Sequence, residues 1–200
     1  MQGYINVATD YQRLGGPGPH LYLVGPSAAY SVLDIVRAAR EKPKASADTR
    51  FAVWGEPQEG HAALWTAQLT ASYAPDLQLI AAASAAPPVD LMTNLTGNEN
   101  ATVRASLTAY AGAPRAEVYD IPLSTITRST GQDLIRRLTE NCLTLEGFNT
   151  KTQIGLVRLT WQLRELNLNA SPCWVVQMRV NPVLAAILEC RCWSLKARQI

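Results

Sequence analysis

Three short apolar segments, separated by two stretches of helical periodicity, constrain the fold of this chain more than any other feature. Each apolar segment has the length of a buried strand, and between them apolar residues recur every three or four positions. The expected strands are 4–9, 51–54 and 77–83, and the expected helices are 27–42 and 61–73. Strands and helices that alternate at this spacing are typical of a parallel α/β sheet whose faces are covered by helices. Residues 1–88 are therefore expected to form an α/β core with buried strands.

The alternation stops at Ala86-Pro87-Pro88, where two prolines oppose a regular helix or strand. Residues 89–150 then carry helical pieces at 101–110 and 131–142 and no strong strand pattern. We therefore predict that residues 89–150 form a helical cap inserted into the α/β core.

The last 50 residues differ from the rest of the chain in charge. Residues 151–200 hold seven basic groups and two acidic groups, whereas the first 150 residues hold 11 and 14. The basic residues are scattered, so they fit a solvated face better than an interaction tail, and no nucleic-acid partner is predicted. Residues 151–200 are interpreted as a divergent C-terminal part of the core, with a helix at 156–166, a fourth strand at 173–177 and a helix from Pro182.

Nothing in the sequence indicates a metal ion or a cofactor. All four cysteines lie in the last 60 residues, and the pair Cys190 and Cys192 is spaced too tightly for a usual zinc site, with no histidine nearby in sequence. No run of 18 apolar residues is present, so no transmembrane segment is predicted.

The turn between the second predicted strand and the following helix is the expected place for chemistry. It reads Gly55-Glu56-Pro57-Gln58-Glu59 and is followed by Gly60. In α/β-hydrolases a strand–turn–helix of this kind carries the nucleophile elbow G-x-S-x-G. The elbow nucleophile adopts a strained backbone, which proline, with φ near −65° and no N–H, does not reach. Pro57 is therefore interpreted as the start of the next helix, and Glu59 is expected to crowd the packing of that helix on the strand.

Two long segments resemble the secretory lipase family of α/β-hydrolases. The first contains D-Y-Q-R-L-G and P-H-L-Y-L-V-G, where that family carries D-Y-x-G-L-G and P-Y-L-V-G. The second contains W-G-E-P-Q-E-G-H-A-A-L-W, where the family carries W-G-x-S-Q-G-G-H-A-A-L-W. The resemblance is close over residues 3–91 and weakens toward residue 142. It implies an α/β-hydrolase fold and a Ser–His–Asp triad that cleaves carboxylic esters, including acylglycerols.

The catalytic residues that this resemblance implies do not carry over to the sequence. Pro57 stands at the nucleophile position. Asn181, within V-V-Q-M-R-V-N-P-V, stands where the family carries its aspartate. The family's histidine comes later in the chain, and no histidine follows His61. The triad is therefore predicted to be degenerate, with His61 in a packing role.

The resemblance also bears on the oxyanion hole and on the sheet. Gln58 keeps a backbone N–H at the position of one oxyanion donor. The second donor belongs to a loop after the fold's third strand, which the resemblance places before Met1. An N-terminally truncated sheet is therefore expected, with exposed strand edges that favour self-association. The family is extracellular, but Met1-Gln2-Gly3 leads directly into a predicted strand, so no signal peptide is expected in this chain.

Two other groups of residues carry chemistry in principle. Ser27 lies in a G-P-S-A-A sequence but is better explained as a helix N-cap. Glu56 and Glu59 form a carboxylate pair beside His61, and such a pair more often favours a helix N-terminus than acid–base catalysis or a hard cation.

The sequence therefore predicts a degenerate secretory-lipase-like α/β-hydrolase that does not hydrolyse esters but retains a site for an acyl ester or lipid ligand. Two alternatives remain open. One is an active esterase or lipase with a non-standard site, and the other is a non-enzymatic lipid-binding or interaction protein.

Overall fold

The computed structural model describes residues 3–140 and 150–179, and these residues form two units. The first unit contains residues 3–12 and 25–89, and the second contains residues 13–24, 90–140 and 150–179. Asn181 and the helix predicted from Pro182 lie outside the described residues.

Helices and strands alternate in the first unit. Its elements are α1 (Gly25–Arg40), β1 (Arg50–Gly55), α2 (Gln58–Tyr73) and β2 (Gln78–Ser84). The two strands are parallel, with Arg50 aligned with Gln78 and Gly55 aligned with Ser84. Because α2 connects two parallel strands, this part of the chain is a βαβ unit, and the predicted α/β class is confirmed.

The strand predicted at residues 4–9 is wrong. Residues 4–10 form neither strand nor helix, and side chains along them are largely exposed. A strand needs a neighbour that accepts and donates backbone hydrogen bonds, and among the described residues β1 pairs only with β2. Residues 4–9 carry β-branched side chains at alternate positions, but they form no backbone hydrogen-bond ladder with another described strand.

The sheet is also less covered than predicted. The strand at 77–83 is present as β2, but the side chain of Ile80 is 49% exposed and that of Trp54 in β1 is 70% exposed. The apolar character of both strands suggested burial on two faces. Within the described residues the helices of this unit leave part of the sheet open.

The middle of helix α1 packs against the C-terminal end of helix α2. Leu33 and Ala74 are fully buried there, with the ring of Tyr30 stacked on that of Tyr73 at 4.2 Å between centroids. Arg37 donates a 2.6 Å hydrogen bond from Nη2 to Oδ1 of Asp76, and this bond lowers the pKa of the Asp76 carboxyl.

The second unit is helical in its described part, and residues 141–149 of the segment predicted to be helical, 89–150, lie outside the described residues. Its helices are α3 (Leu91–Thr96), α4 (Ala101–Val118), α5 (Ser129–Thr139), α6 (Thr150–Gln162) and α7 (Pro172–Arg179), with short 3₁₀ turns at Leu123–Thr125 and Leu168–Ala170. Within the described ranges, every helix is too short or too polar to span a membrane.

Helix α4 is eight residues longer than the predicted helix at 101–110. The sequence A-G-A-P after Tyr110 suggested a stop, because glycine and proline interrupt helices. In the structure these four small residues are all buried, so α4 is surrounded by other chain segments at this point. A β-carbon placed on Gly112 would lie 3.8 Å from both Ile126 and Trp174, so the small side chains let these larger ones approach α4.

Residues 173–177, predicted as a fourth strand, belong to helix α7. Pro172 occupies the first helical position, where its missing N–H costs nothing. Trp174 and Met178, four residues apart, are 0% and 1% exposed and face the core. The adjacent Val175 and Val176 favoured a strand, but the spacing of Trp174 and Met178 is the feature that fits the structure.

A buried arginine ties residues 22–23 to helix α4. Arg115 is 3% exposed and donates from Nη2 to the carbonyl of Leu23 at 2.6 Å and from Nη1 to the carbonyl of Tyr22 at 3.3 Å. Burial lowers the pKa of Arg115 to about 10. Leu23 has a φ of +57°, a strained value for leucine, and these bonds hold its carbonyl in place.

Candidate functional site

The turn after β1 is a helix start, as predicted. Pro57 has φ −58° and ψ −44°, which are ordinary right-handed helical values, and α2 begins at Gln58. The backbone N–H of His61 donates to the carbonyl of Pro57 at 3.0 Å, which closes the first helical turn. Position 57 therefore has neither the hydroxyl nor the left-handed backbone that presents an elbow nucleophile.

Two glycines hold the first turn of α2 against the ends of both strands. A β-carbon on Gly55 would overlap the backbone carbonyl of Glu59. A β-carbon on Gly60 would lie 2.7 Å from Oγ of Ser84 and 2.9 Å from the carbonyl oxygen of Ala85, closer than side-chain contacts allow. The side chain of Glu59 is exposed, and the backbone and β-carbon of this residue lie directly against Gly55 at the end of β1.

His61 is a packing residue in this structure. It is 1% exposed, and its Nε2 accepts a 3.1 Å hydrogen bond from Nε1 of Trp65, one helical turn later. The indole of Trp65 lies directly over Gly25 at the start of α1. The imidazole is therefore held within the core, and it is not placed at the surface of the turn as a general base.

Ser27 is not the N-cap that its sequence suggested. Helix α1 begins two residues earlier, at Gly25. The hydroxyl of Ser27 donates instead to Oε1 of Gln12 at 3.0 Å. The structure thus gives Ser27 a tethering contact, with an amide and not a base as its partner.

The carboxylates of Glu56 and Glu59 are both exposed, as expected of a solvated turn. Glu59 lies close enough to Tyr11 for its charge to act on the phenol. Burial, with a smaller contribution from that charge, raises the pKa of Tyr11 to about 12. Among residues 3–140 and 150–179, no three His, Cys, Asp or Glu side chains are grouped as metal ligands.

Sequence reasoning missed Ser84. It is the last residue of β2 and is aligned with Gly55 at the same end of the sheet. Its Oγ is buried and makes no hydrogen bond within the described part of the chain. In the sequence, Ser84 is a small polar residue that directly follows the predicted apolar strand 77–83. This position could have identified it, because active sites of open α/β sheets lie at this end of the strands.

A cavity of about 380 Å³ lies within the second unit, between α3, α4 and the chain after α6. Its walls include the apolar side chains of Leu95, Ala105 and Leu163 and the guanidinium groups of Arg104 and Arg164. Arg164 stacks on the ring of Trp161 at 4.4 Å from its centroid. Threonine and asparagine side chains also line the cavity, so its surface is more polar than apolar, and its two arginines suit an anionic group such as a carboxylate.

Comparisons with known proteins agree with the resemblance seen in the sequence. The family model of secretory lipases matches residues 1–155. Lipase A of Moesziomyces aphidis is 29% identical over 99 residues, a match that covers 48% of this chain and 21% of that protein. The chain thus matches only about a fifth of the length of this relative.

One solved structure shares the fold. The X-ray structure of Candida antarctica lipase A in its closed state aligns with a TM-score of 0.51 at 20% identity, over 76% of this chain and 36% of that one. A second X-ray structure of Candida antarctica lipase A aligns with a TM-score of 0.46 at 22% identity, over 58% and 28%.

Proposed function

Because the chain belongs to the secretory lipase family, we propose that it is a non-hydrolysing member that binds acyl ligands without cleaving esters. The observation that carries the first half of this proposal is the backbone of Pro57, at φ −58° and ψ −44°. Residues 1–88 would serve as the α/β core and residues 89–150 as a helical cap.

The turn after β1 lacks the nucleophile and the base that a serine-type mechanism needs. Proline offers no nucleophile, and the helical backbone at this position aims a side chain differently from a strained elbow. His61, the nearest histidine in sequence, is held in the core by Trp65. Gln58 retains an N–H, but an oxyanion donor without a nucleophile stabilises no intermediate.

We expect no hydrolysis of p-nitrophenyl butyrate by the purified chain, and none by Pro57→Ser. A serine hydrolase that lost its nucleophile fell by about 10⁶-fold in kcat, and a serine here gains neither a base nor the strained turn. Spectrophotometric rates for both proteins are expected to equal the protein-free blank.

Two serine variants make this assay decisive. Turnover by the unmodified chain that is lost in Ser84→Ala or Ser27→Ala would contradict the proposal and establish an active esterase with a non-standard site. Turnover that appears only in Pro57→Ser would show that the rest of the mechanism is intact.

The cavity beside Arg164 supports the second half of the proposal. A medium-chain carboxylate would place its tail against Leu95 and Leu163 and its charged end at Arg164, because Arg104 already donates to the carbonyls of Asn98 and Glu99. Arg164 also lies 3.4 Å from a carboxylate oxygen of Glu165, an exposed pair that offers little competition in water.

Decanoate is expected to bind about tenfold more tightly than decanol, because a charge-assisted hydrogen bond to a guanidinium exceeds a neutral one by roughly 1–2 kcal/mol. Arg164→Leu is expected to remove this difference, as measured by isothermal titration calorimetry. Arg158→Leu is the matched control, since Arg158 is exposed on α6 and does not line the cavity. Equal affinities for decanoate and decanol in the unmodified chain would count against the acyl site.

A further inference from the structure

The edge of strand β1 that faces away from β2 has no strand partner within residues 3–140 and 150–179. Among the described residues β1 pairs with β2 on one side only, and a cavity of about 280 Å³ runs beside it. Side chains of α1, namely Val32, Ile35 and Val36, line this space together with Phe51 and Val53 of β1. A groove with a strand edge as one wall and β-branched side chains as another is suited to an extended apolar peptide.

The chain itself contains such a peptide. Residues 4–9 carry no charge, and the β-branched residues Ile5, Val7 and Thr9 alternate along them. Ile5 and Val7 are 48% and 44% exposed, and the segment joins no strand or helix. Residues 7–9 line the cavity beside β1 but form no ladder with it. The segment therefore has the composition of a strand without the hydrogen-bonded partner that would make it one.

Charge sets the direction in which this segment can pair with β1. In a parallel strand Asp10, at the carboxyl end of the segment, would lie at the carboxyl end of β1. The carboxylates of Glu56 and Glu59 also belong to that end, and they disfavour parallel pairing there. An antiparallel strand would instead bring Asp10 to Arg50, which makes no ion pair within the described residues.

We propose that residues 4–10 of a second copy add to the edge of β1 that faces away from β2 as an antiparallel strand, with Asp10 opposite Arg50. This register places Thr9 opposite Phe51 and Val7 opposite Val53. It does not depend on the proposed function, because it uses neither the turn at Pro57 nor the cavity beside Arg164.

The register is consistent with burial along β1. Phe51 and Val53 are half-buried, whereas Ala52 and Trp54 are exposed, so alternate residues of the added strand face opposite sides. Opposite Phe51 and Val53 the added strand supplies β-branched side chains, and on the exposed side it supplies Asn6, Ala8 and Asp10. A slip by one residue would reverse both faces, which makes the pairing specific.

Sedimentation velocity of the full chain under reducing conditions tests this pairing. The unmodified chain is expected to shift from monomer to dimer over about 1–200 µM, the range of a weak association. Asp10→Arg and Arg50→Asp are each expected to weaken the dimer about tenfold, because like charges then face each other at both copies of the pairing. The double variant, which exchanges the two charges, is expected to restore it.

Two further variants serve as a charge control and as a second test of the pairing. Lys44→Asp makes the same charge change as Arg50→Asp at another exposed position and is expected to leave the dimer intact. Val7→Pro removes a ladder N–H and is expected to abolish dimerisation. A monomer throughout the range, or a double variant no stronger than its parents, would overturn the proposal. If one of the single variants fails to fold, the double variant still tests the pairing of Asp10 with Arg50.

Discussion

Replacing Trp174 with alanine is expected to lower the free energy of unfolding of the second unit by about 3–5 kcal/mol, the usual cost of emptying a large buried aromatic site. The indole of Trp174 is fully buried, and its Nε1 donates a 2.7 Å hydrogen bond to Oγ1 of Thr125. It packs close to Gly112 of α4, so its removal leaves a hole that small neighbours cannot fill. Urea unfolding followed by circular dichroism measures the change.

The matched control for this substitution is Trp161→Ala. Trp161 is 65% exposed, and its main contact is the stacked guanidinium of Arg164, an exposed interaction of about 0.5–1 kcal/mol. If Trp174→Ala proves no more destabilising than Trp161→Ala, residues 172–179 do not form part of the core of this unit.

Gly25→Ala is expected to destabilise the first unit by about 1–3 kcal/mol, the range for overpacking a filled core. The new methyl group would overlap the indole of Trp65. That ring is 8% exposed, and its Nε1 is bound to His61, so it cannot withdraw without breaking this hydrogen bond. We expect a lower melting temperature in thermal unfolding and a lower free energy of unfolding in urea.

Gly16→Ala provides the comparison for Gly25→Ala. A β-carbon on Gly16 would meet only Cα of Arg13 at 3.7 Å, an ordinary contact, and the residue does not have a positive φ. Its effect is expected to lie within about 0.5 kcal/mol, as for most exposed positions. Equal stabilities for the two variants would show that the indole does not lie against α1.

Local periodicity was sufficient to predict the βαβ unit. The strand at 51–54 and the helix at 61–73 are each defined by residues within a few positions of one another. The observed elements differ from these predictions only in being longer at their ends. The strand prediction for residues 4–9 was wrong for the opposite reason. Their pattern is that of a strand, but strand formation depends on a partner whose presence no local pattern reveals.

The turn after β1 also combines a feature that the local sequence predicts with features that depend on distant residues. The φ of Pro57 follows from the proline ring alone, so the sequence is sufficient to exclude a left-handed elbow at this position. The role of Gly60 could not be predicted in this way, because it depends on how closely α2 approaches Ser84 and Ala85 of another segment. The burial of the Ser84 hydroxyl likewise depends on packing between elements that are distant in sequence.

The close contacts at Gly55 and Gly60 have a consequence for how such turns are recognised. Any chain that lays a helix this tightly on two parallel strands must omit side chains at those positions, whatever stands between them. A match at the two glycines, and at the packed His61, therefore reports on architecture. A search for hydrolases among similar sequences discriminates better when position 57 alone is required to be serine and the surrounding positions are left unweighted.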